Sequence, residues 1–229
     1  MSERSDEHRD VAADELRRRL RALPVFDVEL PEFDPAAAPR QPQELFADWL
    51  LGAIDAGVRE PHAMVLSTID SDGRPSARTL ILKGIADGGW EFATSGASRK
   101  GRELTANPWA AATFHWREQG RQIRLRGRVI DAGAEASARD YLARPIGSRI
   151  ETLAGNQSAV LHDPDDVEVA VEQARADLVG DPDLIPADWT LYRLLPDEVE
   201  FWQADRDRRH IRLRYRLADG SWQQHRLWP

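Results

Sequence analysis

The segment Thr94-Ser95-Gly96-Ala97-Ser98-Arg99-Lys100 gathers hydroxyls, a permissive glycine and two adjacent cations ahead of an expected helix. Backbone N–H groups at a helix N-terminus point outward and the helix dipole is positive there, so this is chemistry suited to phosphate. A simple N-cap by Ser98 accounts for the serine equally well. A second pattern alternates Ile123, Leu125 and Val129 with Gln122, Arg124, Arg126 and Arg128. A strand of that phase has one apolar face and one row of hydrogen-bonding groups, which is either a ligand wall or a wet outer face. In the tail, Arg208, His210, Arg212, Arg214 and Arg216 share the phase opposite Ile211, Leu213 and Tyr215. Arginine and imidazole two residues apart on a strand would grip one anion, or would simply be solvated.

Other chemistries lack their residues. The chain has no cysteine, which removes disulfides, thiolate metal sites and cysteine nucleophiles. The six histidines show neither H-x-H nor H-x-x-x-H spacing, so no metal site is expected. There is no dinucleotide-binding glycine fingerprint, phosphate-binding P-loop or G-x-S-x-G elbow. The run Asp163-Pro164-Asp165-Asp166 reads as carboxylates capping a helix start. The net charge is −8, yet residues 74–128 carry 11 basic and 4 acidic side chains, and residues 206–216 carry 6 and 1. A globally acidic chain repels a polyanion, so nucleic acid is not an expected partner. Two local basic segments suit a small anionic ligand instead. Of the 31 basic residues only Lys83 and Lys100 are lysines. No apolar run approaches the roughly 18 residues of a membrane span, and Met1–Asp10 lacks the apolar core of a signal peptide. With no cysteine, the expected location is the reducing cytoplasm.

The elements that must position these groups follow from periodicity. Residues 9–23 read as a helix, with Val11, Leu16, Leu20 and Leu23 at helical spacing. Residues 24–42 contain five prolines and read as an extended arm. Gln43 to Ala56 reads as a helix with Leu45, Trp49, Leu50 and Ile54 on its apolar stripe. The period then changes. Strands are expected at 63–69, 77–83, 90–94, 109–117 and 122–130, with a short helix at 98–106. Tight turns at Asp70–Gly73 and Asp87–Gly89 imply antiparallel pairing, since parallel strands need a long crossover. Helices are expected at 134–143, 146–154 and 165–179. The tail from Thr190 to Trp228 reads as strand with a hairpin turn at Asp219-Gly220. The result is an α+β chain: an N-terminal helix and arm, 1–42, and one domain, 43–229.

Taken together, the segments resemble the pyridoxamine 5′-phosphate oxidase family, the FMN-binding split barrels. The pieces that carry the resemblance run from about Phe46 to Pro229. They are Glu60–Leu66, Arg78-Thr79-Leu80-Ile81-Leu82-Lys83, Ser98-Arg99-Lys100, Arg121-Gln122-Ile123, Arg144-Pro145, Gln157-Ser158, Val199–Gln203 and Arg208–Arg212. The resemblance implies an antiparallel split β-barrel with flanking helices, and a homodimer with FMN between its subunits. It assigns Arg78, Thr79, Leu80, Ile81, Leu82, Lys83, Ala93, Thr94, Arg99 and Lys100 to FMN, with Gln122, Gln157, Ser158, Trp202 and Arg212 completing that site. It assigns Lys83, Arg144 and Ser148 to the substrate phosphate, and places Arg208 and His210 over the substrate ring as the catalytic pair. The implied chemistry is hydride transfer from pyridoxamine or pyridoxine 5′-phosphate to the flavin, with dioxygen then reduced to hydrogen peroxide.

The chain departs from the family pattern in places. The family carries a tyrosine four residues before the arginine that aligns with Arg144; here that residue is Asp140, and a tyrosine stands at 141. The arm Pro31–Asp34 and the stretches Gly57–Pro61 and Lys100–Leu104 resemble the phenazine-biosynthesis branch, whose substrates are tricyclic acids. Arg78 and Lys83 are five residues apart, so on one regular strand they would face opposite ways. Three functions are therefore in view: an oxidase forming pyridoxal 5′-phosphate, an FMN-dependent oxidase of another small anionic metabolite, and a non-enzymatic flavin-binding protein.

Overall fold

Helical periodicity gives way to strand near Ala63, and nine strands follow. In the computed structural model, which describes residues 14–229, a helical stretch at 14–22 (α1) and an extended arm lead into α2 (Pro42–Asp55). Strands β1 (Ala63–Ile69), β2 (Pro75–Ile81), β3 (Gly84–Ala86) and β4 (Gly89–Ser95) come next. Helix α3 (Arg99–Ala106) precedes β5 (Trp109–Trp116) and β6 (Arg121–Asp131). Helices α4 (Ala134–Leu142), α5 (Ile146–Ala154) and α6 (Asp165–Gly180) then lead to β7 (Trp189–Gln203), β8 (Ile211–Ala218) and β9 (Ser221–Arg226). The first part of the helix expected at 9–23, and the charged segment Met1–Asp10, lie outside the described residues.

All pairings are antiparallel, in the order β2-β1-β5-β6-β7-β4-β3, with β8 and β9 branching from β7. Strand β7 makes the branch possible. One of its edges pairs with β6 from Tyr192 to Gln203. Its other edge pairs with β4 over Trp189–Leu194 and with β8 over Glu198–Gln203. Pro196, which has no N–H to place in a ladder, sits at the changeover. There Asp197 is an extra residue opposite β6, between the Gly127–Pro196 and Arg126–Glu198 pairs. The sheet therefore splits, and it also curls: residues of β2 and β4, five places apart in the order, line one cavity.

The apolar faces of the curled sheet enclose Phe92, Phe114, Ile123, Leu125, Val199, Phe201 and Tyr215, with α2 laid against them. Phe46 of α2 meets Phe114 and Trp90 edge-on at 4.9 and 5.5 Å. The arm is tied down on the same side. Phe33 meets Trp49 edge-on, and the Tyr215 hydroxyl donates to the Pro39 carbonyl at 2.8 Å. Arg121, buried over the Trp49 ring, donates to Gln203 Oε1 and to the Glu32 carbonyl. A separate small core joins Ile150 of α5 to Ala174 and Leu178 of α6.

Three expectations are corrected. The apolar stripe of α2 is Leu45, Phe46, Trp49 and Ala53; Leu50 packs only at its margin and Ile54 is 52% exposed. The sheet takes the small Ala53 where a larger residue would hold the helix off. Strand β2 covers Pro75–Ile81 instead of 77–83, because the chain is changing partners: the Leu82 N–H donates to the His62 carbonyl while the Lys83 N–H donates to the Glu91 carbonyl in β4. Lys83 therefore lies beyond the strand end, and its phase relative to Arg78 is free. The tail is not continuous strand before β8, and Arg208 and His210 do not share a strand face with Arg212, Arg214 and Arg216. They lie in a turn where Asp207 and Arg209 N–H groups donate to Asp205 Oδ1, and where Arg208 is left-handed at φ 63°.

Gly127 stands where the split requires it. A Cβ there would meet the Leu195 carbonyl oxygen at 2.0 Å and Pro196 Cα at 2.5 Å, both backbone atoms that cannot swing aside. Gly127→Ala should cost about 1–3 kcal/mol, seen as a lower denaturant midpoint. An unchanged midpoint would show that the branch tolerates a side chain.

Candidate functional site

Strand β1, strand β2 and helix α3 bring Thr68, Arg78 and Arg99 onto one carboxylate, Glu103, with Lys100 beside them. Ser98 caps α3: its Oγ accepts from the Gly101 N–H and donates to the Ser95 carbonyl. Gly101 is held so close to Gly96 that a Cβ would meet the Gly96 carbonyl oxygen at 2.3 Å, which seats the helix on its preceding turn. From that start, Arg99 Nε reaches Glu103 Oε1 one turn on, at 2.8 Å. Arg78 Nη2 reaches Glu103 Oε2 at 3.1 Å, and its Nη1 reaches Thr68 Oγ1 at 2.5 Å. Thr68 also donates to Glu103. Burial alone would raise the Glu103 pKa, but the bonds from Thr68, Arg99 and Arg78 outweigh it and hold the carboxyl below its ordinary range.

Lys100 is the third cation, and it is buried. Its Nζ donates to Gln157 Oε1 at 3.0 Å and to Ser98 Oγ at 3.4 Å, both neutral acceptors. Desolvation, reinforced by Arg78, pushes its pKa down to about 8. A buried ammonium without a close anion is costly, and an arriving phosphate would relieve that cost. Counting Arg78, Arg99 and Lys100 against Glu103, the cradle carries two net positive charges. A phosphate monoester carries about −1.5 to −2 at neutral pH, so the donor set fits the phosphate of FMN.

A cavity of about 420 Å³ adjoins the cradle. Thr79, Leu80 and Ile81 of β2 form one wall, Ala93 and Thr94 of β4 another, and Lys83, Arg144, Ser148 and Gln157 complete it. Gln157 belongs to both sites, since its Oε1 also accepts from Thr94 Oγ1 at 3.2 Å. Arg144 lies over the Trp189 ring at 4.5 Å and donates from Nη2 to Thr152 Oγ1 and the Ser148 carbonyl. Its Nε is shielded from solvent and has no partner among the described residues.

The remaining expected residues fall elsewhere. Leu82 is buried in the main core and offers only its backbone. Ser158 is exposed and left-handed at φ 73°. Gln122, Trp202 and Arg212 stand side by side on β6, β7 and β8, one row across three strands. Arg212 Nε donates to buried Glu200 at 2.8 Å, and this bond holds the arginine pKa above its ordinary value. His210 packs at a tilt against Trp202, with ring centroids 4.7 Å apart, and Phe26 of the arm contacts both rings. Neither this row, nor His210, nor exposed Arg208 lines the cavity. Sequence reasoning missed Glu103, Trp189, Thr152 and Phe26. Only Glu103 left a signal, four residues from Arg99 on one helix face.

The lowered Lys100 pKa has a sign. In the ligand-free fold the ammonium is disfavoured, so its stability penalty is present below about pH 8 and fades as pH rises toward the ordinary 10.5. Anion binding needs the proton and raises that pKa. FMN affinity should therefore be level between about pH 7, above the second phosphate ionisation, and pH 8, and weaken above it, by up to about tenfold per pH unit, measured by flavin fluorescence. Lys100→Ala should remove that slope; a slope kept in the variant would assign it to another group.

Known proteins resemble this chain over most of its length. Residues 50–176 match the family model described as pyridoxamine 5′-phosphate oxidase, and residues 189–229 match a pyridoxine 5′-phosphate oxidase C-terminal dimerisation region. The latter covers β7, β8 and β9. A pyridoxine/pyridoxamine 5′-phosphate oxidase of Paraburkholderia xenovorans is 42% identical over 219 residues, spanning 94% of this chain and 98% of that protein. Another, from Burkholderia lata, is 44% identical over 199 residues, spanning 86% and 92%. The structure of PhzG from Burkholderia lata, in complex with tetrahydrophenazine-1-carboxylic acid, aligns with a TM-score of 0.83 at 35% identity, covering 87% of this chain and 99% of that one. An FMN-binding protein of Nostoc punctiforme shares the fold, with a TM-score of 0.67 at 18% identity over 82% of this chain and 97% of that one. No helix among the described residues is long and apolar enough to cross a membrane. A family model spanning more than half of the chain, and relatives above 40% identity over most of it, settle the kinship: the chain belongs to the pyridoxamine 5′-phosphate oxidase family of oxidoreductases.

Proposed function

We propose that the protein is an FMN-dependent oxidase that converts pyridoxamine or pyridoxine 5′-phosphate to pyridoxal 5′-phosphate, reducing dioxygen to hydrogen peroxide, and that it works as a homodimer. The observation that carries this is the shared wall. The Arg78, Arg99 and Lys100 cradle and the cavity of Lys83 and Arg144 meet at Thr94 and Gln157. Two anion sites joined by one wall suit a phosphorylated cofactor beside an anionic substrate. Bound FMN would supply the two-electron redox chemistry. Arg99, whose terminal amino groups have no partner among the described residues, and Lys100 would hold its phosphate, while Glu103 keeps Arg78 and Arg99 in place. Lys83 and the unpartnered Arg144 Nε would hold the substrate anion. A cavity walled by Leu80, Ile81 and Ala93 would exclude water from its ring.

Strand length supports the dimer. Trp189, in the cavity wall, and Trp202, in the row, stand at the two ends of β7. Thirteen residues at about 3.3 Å each separate them by roughly 40 Å along the strand. A ligand in one cavity would meet the Gln122, Trp202 and Arg212 row, with Arg208 and His210, from a second copy. The dimerisation region matched over 189–229 supports that arrangement. A second reading, oxidation of a carboxylate-bearing metabolite, draws support from Asp140 Oδ1 at 3.9 Å from Lys83 Nζ, and from the carboxylic acid named with the PhzG structure.

The FMN-loaded protein should release hydrogen peroxide on addition of pyridoxine 5′-phosphate, and under anaerobic conditions that substrate should bleach the flavin. A flavin that stays oxidised with the substrate in excess would overturn the proposal. Lys83→Ala should raise KM for pyridoxine 5′-phosphate about tenfold or more, the loss of one charge-assisted contact. An unchanged KM would remove Lys83 from the substrate site.

A further inference from the structure

The cavity and the cradle differ in charge, and the difference comes from one residue. Lys83 and Arg144 are the charged groups of the cavity lining. Asp140, on α4, stands behind them. Its Oδ1 lies 3.9 Å from Lys83 Nζ, and its Oδ2 accepts from Trp189 Nε1 at 3.0 Å. Trp189 in turn carries the Arg144 guanidinium on its ring. The Asp140 side chain is only 12% exposed, so solvent does little to screen it from the cavity. Tyr141 beside it is buried and donates its hydroxyl to the Arg149 carbonyl. Two cations against one carboxylate leave the cavity one net positive charge, where the cradle has two.

We propose that Asp140 is a specificity-determining residue: it offsets the charge of Lys83, so the cavity discriminates only weakly between doubly and singly charged anionic groups. A phosphate-bearing ring then competes on near-equal terms with a carboxylate-bearing one. This rests on the cavity being the substrate-anion site. The carboxylate acts through Lys83 and Trp189 and is a positioning and charge-setting group, not a catalytic residue.

The electrostatic logic gives the proposal a quantitative signature. Removing one negative charge helps a dianion twice as much, in free energy, as it helps a monoanion at the same place. A tenfold gain for the first is therefore about a threefold gain for the second. Asp140→Asn keeps an oxygen to accept from Trp189 and removes only the charge. The FMN-loaded wild type and variant would be titrated at pH 8 with phenylphosphonate, the dianion, and benzoate, the monoanion, following the flavin absorbance. The variant should bind phenylphosphonate about tenfold tighter and benzoate about threefold tighter, with an unchanged Tm. Equal changes for both probes, or none, would reduce Asp140 to a structural partner of Trp189 and overturn the proposal. So would failure of both probes to bind. Pyridoxine 5′-phosphate turnover separates the two proposals. The tenfold-to-threefold split without turnover leaves the Asp140 role standing and removes the vitamer oxidase function. Turnover without the split does the reverse.

Discussion

A β-strand has two edges, and β7 gives one of them to two different partners. Most of the architecture follows from that. The undivided edge runs against β6 from Tyr192 to Gln203, while the divided edge serves β4 first and β8 afterwards. Pro196, which brings no donor to be left unsatisfied, occupies the point of exchange, and Gly127 admits the backbone that bulges there. Because β4 is taken up at the first half of β7, the sheet curls until β2 faces β4 and a cavity opens between them. Because β8 is taken up at the second half, a separate row of polar groups is built at the other end. The packed aromatics under α2 then hold the curl in place.

The electrostatics are layered on this frame with little redundancy. Arg78 comes from β2, Arg99 and Lys100 from α3, and Thr68 from β1, and all but Lys100 converge on Glu103. A buried carboxylate bonded by three donors is an expensive device unless each donor is needed where it stands. Here it fixes two guanidinium groups that would otherwise repel each other, and it leaves Lys100 without a close anion. The cavity uses the opposite arrangement: its carboxylate sits beside the lysine, and the arginine is left with an unmet donor. Chemistry of this kind also bears on the scarcity of lysine in the chain. Both lysines sit in these two sites, where a compact ammonium on a flexible stem fits differently from a planar guanidinium.

Much of the fold was legible because its punctuation is local. Strand β1 and helix α5 have the boundaries that their turn and proline signals set, and the Asp87-Gly88 and Asp219-Gly220 hairpins both take the positive φ that such pairs favour. The Ser98 cap of α3 was legible for the same reason. The stripe of α2 was misread because apolarity alone does not show which residues a curved sheet has room for. The turn at 204–210 was read as strand because its shape is set by the Asp205 side chain, and alternation cannot register a side chain that bonds backbone N–H groups two and four residues on. Lys83 and Asp140 are 57 residues apart in sequence, and only the packing of α4 beside the β2–β3 crossover brings them together.

The length of β7 has a genetic consequence. If each site takes its cavity from one subunit and its aromatic row from the other, damage at the two ends of the strand falls on different halves of the same site. A copy spoiled at the cavity and a copy spoiled at the row, mixed in one dimer, would place both lesions in one site and leave the other whole. Two inactive proteins would thus restore activity together, to as much as half per dimer. A protein whose site lay within one subunit could not do so.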